Sequence, residues 1–165
     1  MTESNMFDIQ PATTSDIPLI VEFIKELAEF EKLLHTVETT PELIKEHIFG
    51  ESPKAHVIIA REASTQKPAG MALYFYNFST FTGRPGVYLE DLFVRESFRK
   101  MGLGKQFFNK LAQIAVELNY GRLEWTVLDW NKQARDFYKK MGCDEMADWI
   151  ICRISRDGLM KLAMK

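Results

Sequence analysis

Residues 87–121, VYLEDLFVRESFRKMGLGKQFFNKLAQIAVELNYG, constrain the fold more than any other stretch. Val87, Tyr88, Leu89, Leu92, Phe93 and Val94 read as a buried strand. Phe107, Phe108, Leu111, Ile114, Ala115 and Leu118 then recur at helical spacing, and Gly121 is the expected stop of that helix. Between them stands Arg99-Lys100-Met101-Gly102-Leu103-Gly104. A strand must therefore hand over to a long amphipathic helix through a glycine turn. The strand also carries Glu90 and Asp91 in its middle. Burying even an unpaired neutral polar group costs roughly 2–7 kcal/mol, so two carboxylates there must be paired, hydrated or used.

The flanking sequence supplies the rest of the sheet and its cover. MFDIQPA reads as a short first strand. TSDIPLIVEFIKELAEFEKL is an amphipathic helix with its apolar stripe at Ile17, Ile20, Phe23, Ile24, Leu27 and Phe30. TPELIKEHIFG is a second helix, with Thr40 as N-cap, Pro41 as first residue and Gly50 as stop. AHVIIARE and AGMALYFYNF are β-rich and separated by the turn ASTQKP, which makes them antiparallel neighbours. STFTGRPG is the next turn. After the long helix, RLEWTVLD reads as a strand and NKQARDFYKKMG as a short helix between Asn131 and Gly142. DWIICRIS reads as a late strand and DGLMKLA as a short terminal helix or coil. This order predicts an α/β (α+β) chain: a mixed sheet covered on both faces, in one domain spanning residues 1–165.

Bulk properties narrow the partners. The net charge is -2, from 21 basic and 23 acidic residues, which provides no whole-chain attraction for nucleic acid or an anionic membrane. Neither is expected as a partner. Cys143 and Cys152 form no C-x-x-C, and His35, His47 and His56 do not cluster with them, so no metal site is expected. Two free thiols are expected. MTESNMFDIQ has neither the basic nor the apolar region of a signal peptide, and no apolar run approaches the ~20 residues of a membrane helix. These features read as a soluble cytoplasmic protein.

The glycine loop reads as an anion cradle. Glycines let several N–H groups converge, the helix start adds partial positive charge, and Arg99, Lys100 and Lys105 add full charges. A pyrophosphate suits such a loop. It is not the dinucleotide fingerprint, whose third glycine would fall at Phe107, nor a P-loop, because Gln106 follows Lys105. Taken alone, G-x-G also fits a plain helix-start turn.

Context goes further. Arg-x-x-Gly-x-Gly between a strand and a long helix resembles the acetyl-CoA motif of the GCN5-related N-acetyltransferases (GNAT superfamily), and VLDWNKQARDFYKKMGC resembles their second motif. IKELAEFEK, YLEDLFV, RKMGLGK, LDWNKQA and FYKKMG together resemble the diamine (spermidine/spermine) and thialysine N-epsilon-acetyltransferase group, from the first helix to Cys143. The resemblance implies a mostly antiparallel sheet splayed between the fourth and fifth strands, with the acid-bearing strand bulged. It implies acetyl-CoA as co-substrate, with Leu92, Phe93 and Val94 offering backbone to the pantetheine arm. Arg99, Lys100, Met101, Gly102, Leu103, Gly104 and Lys105 would cradle the pyrophosphate. Asn131, Lys132, Gln133, Ala134 and Tyr138 would flank the arm.

Acetyl transfer needs an amine stripped of its proton and a leaving thiolate. By motif position Glu90 is the candidate base and Tyr138 the candidate acid. Pairing of the acids with a buried Arg, and a core role for Tyr138 in the stripe Ala134, Phe137, Tyr138, Met141, are the alternatives. Asp91 is open between substrate contact and structure. Cys143 has no sequence-near histidine, so direct attack of the amine is expected rather than a thiol intermediate.

The resemblance also implies that Phe30, Glu31, Phe81, Glu90, Asp91, Trp125, Thr126 and Asp129 line the amine side, and that the protein is a homodimer. Glu31 fits a solvated helix face equally well. Ser79 and Phe81 replace the Asp and Trp of polyamine enzymes, and only Asp148 precedes Trp149 where those enzymes are Glu-rich. Fewer acids favour a small amine or lysine-like amino acid over spermine. A protein-directed acetyltransferase and a non-catalytic acyl-CoA-binding sensor are the alternative readings.

Overall fold

The structure is a computed structural model and describes residues 6–164. The reading of the N-terminus as no leader rests largely on residues 1–5, outside the described residues. The chain forms two compact units, one through Thr126 and one from Val127 onward.

The first unit is built on a five-stranded sheet in the order β1-β2-β3-β4-β5. The strands are β1 (Phe7–Pro11), β2 (His56–Glu62), β3 (Pro68–Ser79), β4 (Arg84–Val94) and β5 (Leu123–Trp125). The first three pairings are antiparallel and β4–β5 is parallel. The mixed, mostly antiparallel sheet matches expectation, but β5 is shorter than RLEWTVLD suggested. Its ladder joins Val87–Leu89 to Leu123–Trp125 and stops. Glu90–Val94 therefore continue with no partner on that edge among the paired strands, the splay the family resemblance implied.

Three helices cover this sheet: α1 (Ile17–Phe30), α2 (Pro41–Phe49) and α3 (Leu103–Glu117). Pro18 falls at the start of α1, where its missing N–H costs nothing. Thr40 caps α2 through the Leu43 N–H. Ile17, Ile20, Val21, Phe23 and Ile44 from α1 and α2 pack on Val57, Ile59, Met71 and Phe93 of the sheet. On the other face, Phe108 of α3 meets Trp125 edge-on at 4.8 Å, and Trp125 stands in one row with Leu89, Tyr74 and His56. Gly121 does not end α3. The helix stops earlier because Asn119 takes a left-handed φ of 57°, and the Tyr120 N–H returns to the Ala115 carbonyl. Asparagine tolerates this conformation and closes the last turn.

In the second unit, α4 (Lys132–Lys140) is followed by α5 (Arg156–Ala163). The terminal segment thus resolves into helix. DWIICRIS, expected as a strand, forms none: residues 148–155 join no strand ladder, and Trp149, Ile150 and Ile151 are exposed. β-propensity only says that a residue suits a half-buried pleated surface. No strand forms among the described residues of this unit to pair with it.

Candidate active site

The register of β3 and β4 locates the feature that organises the site. Leu73 pairs with Asp91 and Tyr74 with Leu89, so Glu90 is the extra residue of a β-bulge. An unbroken strand would place Leu89, Asp91 and Phe93 on one face. With the bulge, Leu89 lies in the row facing α3. Asp91 and Phe93 lie opposite Leu73 and Met71, on the face of α1. Phe93 confirms the switch by packing on Phe23, with ring centroids 5.8 Å apart. The bulge thus carries Asp91 onto the α1 side and leaves Glu90 exposed between the faces.

Three carboxylates meet there. Asp91 is half-buried, and burial pushes its pKa up to about 6, helped by the charges of Glu90 and Glu31. Burial also raises the Glu31 carboxyl. Glu31 caps the C-terminus of α1, next to Phe30. That helix is tied to the end of β4 by Arg95, whose Nη2 reaches Glu22 at 2.5 Å and Glu26 at 2.6 Å while its guanidinium lies 4.8 Å over the Phe23 ring. The clamp fixes where Glu31 falls relative to Asp91. Among the described residues these carboxylates form no ion pair, so the cluster is a partly desolvated negative centre, and a cation entering it would relieve both the burial and the mutual repulsion.

Immediately beyond β4 runs the glycine loop. Lys100 has φ 63° and Gly102 φ 81°. A left-handed lysine costs of order 1 kcal/mol or more and persists only where surroundings impose it. Gly102 is the N-cap of α3 and gives no side-chain cap. The first intrahelical bond is Gln106 N–H to the Gly102 carbonyl, at 3.1 Å. The N–H groups of Leu103, Gly104 and Lys105 precede that bond and lack intrahelical acceptors. A Cβ on Gly102 would meet nothing within 4 Å, so the loop presents its donors to open space. Arg99, bent back, donates from Nε to the Val94 carbonyl at 2.9 Å and lies 5.1 Å over the Phe30 ring. The donor set fits a pyrophosphate, and the unpaired edge Glu90–Val94 fits an extended amide-bearing arm. Among the described residues no group of His, Cys, Asp or Glu is placed to hold a metal ion.

The remaining candidates belong to other elements. Trp125 ends β5 and turns its ring onto Phe108, with Thr126 next in the chain. Phe81 is 95% exposed at the tip of the β3–β4 hairpin. It stands about 20 Å along the strand from Glu90, so the structure does not bring it to the acids. In the second unit, Asn131 caps α4 by accepting from the Ala134 N–H at 3.2 Å, while Lys132 and Gln133 are exposed in its first turn. Asp129 lies just upstream, and its carbonyl accepts from Arg135 Nη1 at 3.1 Å. Arg135 also reaches Glu145 through Nε and Nη2, both at 2.9 Å. Tyr138 is half-buried; burial, and after it the Cys143 charge, raises its pKa and keeps the phenol protonated. Burial raises the Cys143 thiol too, joined by Glu145 and Asp144, which is the reverse of an activated nucleophile. Both cysteines are free. Sequence reasoning missed the Arg99–Phe30 contact and the left-handed Lys100; neither leaves a local sequence signal.

A splayed sheet, a bulged acidic strand and a glycine loop at a helix start thus stand together in the first unit. The profile of the acetyltransferase (GNAT) family matches residues 21–143, and the chain belongs to that family. It is 35% identical over 164 residues to the thialysine N-epsilon-acetyltransferase of Mus musculus, covering 94% of this chain and 96% of that one. It is 30% identical to the L-ornithine N5-acetyltransferase of Arabidopsis thaliana, covering 98% and 90%. Among solved structures, an integron cassette protein from the mobile metagenome of V. cholerae superposes with a TM-score of 0.81 at 28% identity, covering 98% and 100%. The chain is an acetyltransferase of the GNAT fold.

Proposed function

We propose that this protein transfers the acetyl group of acetyl-CoA to a primary amine of a small cationic substrate, by direct attack within a ternary complex. The observation that carries the reading is the cluster Glu31, Glu90 and Asp91 beside an open strand edge and an anion loop. Lysine- and ornithine-like substrates are favoured, in keeping with the names of the mouse and Arabidopsis relatives. In this reading, residues 1–165 act as one N-acetyltransferase domain.

Acetyl-CoA supplies the activated acetyl thioester. Leu92, Phe93 and Val94 would hold its arm through backbone groups, and Arg99 to Lys105 its pyrophosphate, with Asn131, Lys132, Gln133 and Ala134 at the start of α4 contributing. The substrate ammonium has a pKa near ~10.4 and arrives charged. Asp91 and Glu31 attract it, and Phe30 adds a cation–π face. Glu90, exposed on the bulge, accepts the amine proton directly or through water. Tyr138, held protonated by burial, donates to the departing thiolate. Trp125, Thr126 and Asp129 are proposed as outer contacts of the amine side, and Phe81, at the tip of the β3–β4 hairpin, is not among them.

A second reading exchanges the acids, and the elevated pKa of Asp91 favours it: a carboxyl near 6 is better matched to take a proton near neutrality. The pH profile of kcat/KM separates them. Glu90→Gln should abolish the acidic limb, where activity falls as the base is protonated, if Glu90 is the base, whereas Asp91→Asn should then chiefly raise the amine KM. A homodimer in the cytoplasm completes the proposal. No helix among the described residues is long and apolar enough to cross a membrane.

The deciding experiment is thiol release from acetyl-CoA across thialysine, ornithine, lysine, putrescine, spermidine and a lysine peptide. Turnover of the free amino acids and diamines well above the peptide is expected. Activity on the peptide alone would select a protein acetyltransferase, and no release with any amine would leave an acyl-CoA-binding role.

A further inference from the structure

Arg95 joins three elements of the first unit. It follows Val94 at the end of β4, and its backbone N–H donates to the Ala69 carbonyl of β3 at 2.9 Å. Its guanidinium forks onto Glu26 of α1. Nε stands 3.2 and 3.1 Å from the two carboxylate oxygens, and Nη2 stands 2.6 Å from the first. Nη2 also reaches Glu22 at 2.5 Å, and Nη1 reaches the Pro68 carbonyl at 3.4 Å. The buried ring of Phe23 lies under the same group. Glu22 and Glu26 are about one helical turn apart. Holding both fixes how far α1 slides along β4 and how it is turned about its own axis. The two ends of this tie lead to the acids. Glu31 follows Glu26 on a closed helix end, where the Glu31 N–H donates to the Leu27 carbonyl at 3.0 Å and the Leu33 N–H to the Ala28 carbonyl at 2.8 Å. Asp91 precedes Arg95 on β4, and the Glu31 charge acts on it. α1 therefore passes β4 with Glu26 against Arg95 and Glu31 near Asp91.

We propose that Arg95 is a positioning residue for amine binding, acting through Glu31 by holding the end of α1 against Asp91. The inference rests on the function proposed above and deepens it. The chemistry asks for arginine. A planar fork with several donors holds both oxygens of Glu26 while reaching Glu22 and a carbonyl; a lysine ammonium keeps the charge and loses that geometry. Charge and position act in opposite directions. Removing a cation near an acidic cluster helps an incoming ammonium by Coulomb attraction alone. Releasing the end of α1 hinders it, because Glu31 no longer stands where the ammonium arrives. The sign of the change in amine KM separates the two effects.

The test is steady-state thiol release with thialysine varied at saturating acetyl-CoA, with urea unfolding alongside. Arg95→Lys should raise the thialysine KM about three- to tenfold, the size of coupling found within one charge network, and change kcat less than about twofold. Arg95→Gln should raise KM at least as far, although it removes a positive charge. In a Glu31→Gln background, where KM is already raised, Arg95→Lys should add less than about twofold. Glu26→Gln reaches the same contact from the helix and leaves Glu22 to pair with the guanidinium. It should raise KM with the same dependence on Glu31, and it serves if the arginine variants fold poorly. Lost stability with an unchanged KM would make Arg95 a structural tie only. An equal rise in KM with and without the Glu31 carboxylate would mean that it does not act through Glu31. A fall in KM on Arg95→Gln would leave its charge as the whole effect. Each of these results overturns the proposal while acetyl transfer stands, whereas absence of transfer in the unaltered protein sinks the functional reading and this inference with it.

Discussion

Asp91 should weaken the fold it belongs to. Its pKa rises from 3.8 to about 6, first through burial and then through Glu90 and Glu31. At about 1.4 kcal/mol per pH unit, that displacement is a ceiling of about 3 kcal/mol against the ionised folded state. Asp91 is only half-buried, so solvent screening brings the expected figure to between about 1 and 3 kcal/mol. The sign follows from the direction: the folded pKa lies above the unfolded one. Below about pH 4 the group is protonated in both states and contributes nothing. Its penalty grows between about pH 4 and 6 and is complete above. Asp91→Asn keeps the shape and removes the charge. The variant should therefore gain stability over the parent by about 1–3 kcal/mol more at pH 8 than at pH 4. For a chain of this size that is about 2–12 °C in Tm. Urea unfolding of both proteins at the two pH values measures it. The same substitution should raise the amine KM, because the destabilising charge is the one an ammonium neutralises, a trade of stability for function. A stability difference independent of pH, or one that shrinks as pH rises, would refute the reasoning.

Other expectations follow from the same geometry. Gly102→Val should weaken acetyl-CoA binding at least about tenfold, since φ 81° disfavours any side chain and a Cβ would project into the space the loop donors face; unchanged affinity by calorimetry would end the cradle assignment. Tyr138→Phe should lower kcat far more than it changes CoA affinity, and full turnover would remove the acid role. Asn131→Ala removes the cap on α4 and should cost about 1 kcal/mol by urea unfolding, with Asn131→Ser restoring most of it.

Local signals were sufficient for the helices. Pro41 after Thr40, Asn131 before α4 and the Phe107–Ala115 stripe act within a turn or two of the chain, so their effect is readable without knowing what they pack against. The same holds for the glycine loop, because a left-handed Gly102 and a helix start are properties of a few neighbouring residues. Strands behaved differently. DWIICRIS has the composition of a strand and forms none among the described residues, since pairing needs a neighbour that composition does not supply.

The two acids of VYLEDLFV mark the boundary. The sequence by itself determined that Glu90 and Asp91 stand in an apolar strand just before a glycine turn into a long helix, and the family resemblance tied that arrangement to acetyl transfer. Only the tertiary structure decided which face each acid takes. That choice depends on one skipped pairing between Leu73 and Tyr74 of β3, a long-range register with no counterpart in the local sequence. The skipped pairing sets Asp91 against α1, and the Arg95 clamp sets Glu31 beside it. Their mutual repulsion and burial, on which the proposed attraction of a cation depends, exist only once residues distant in the chain have been brought together.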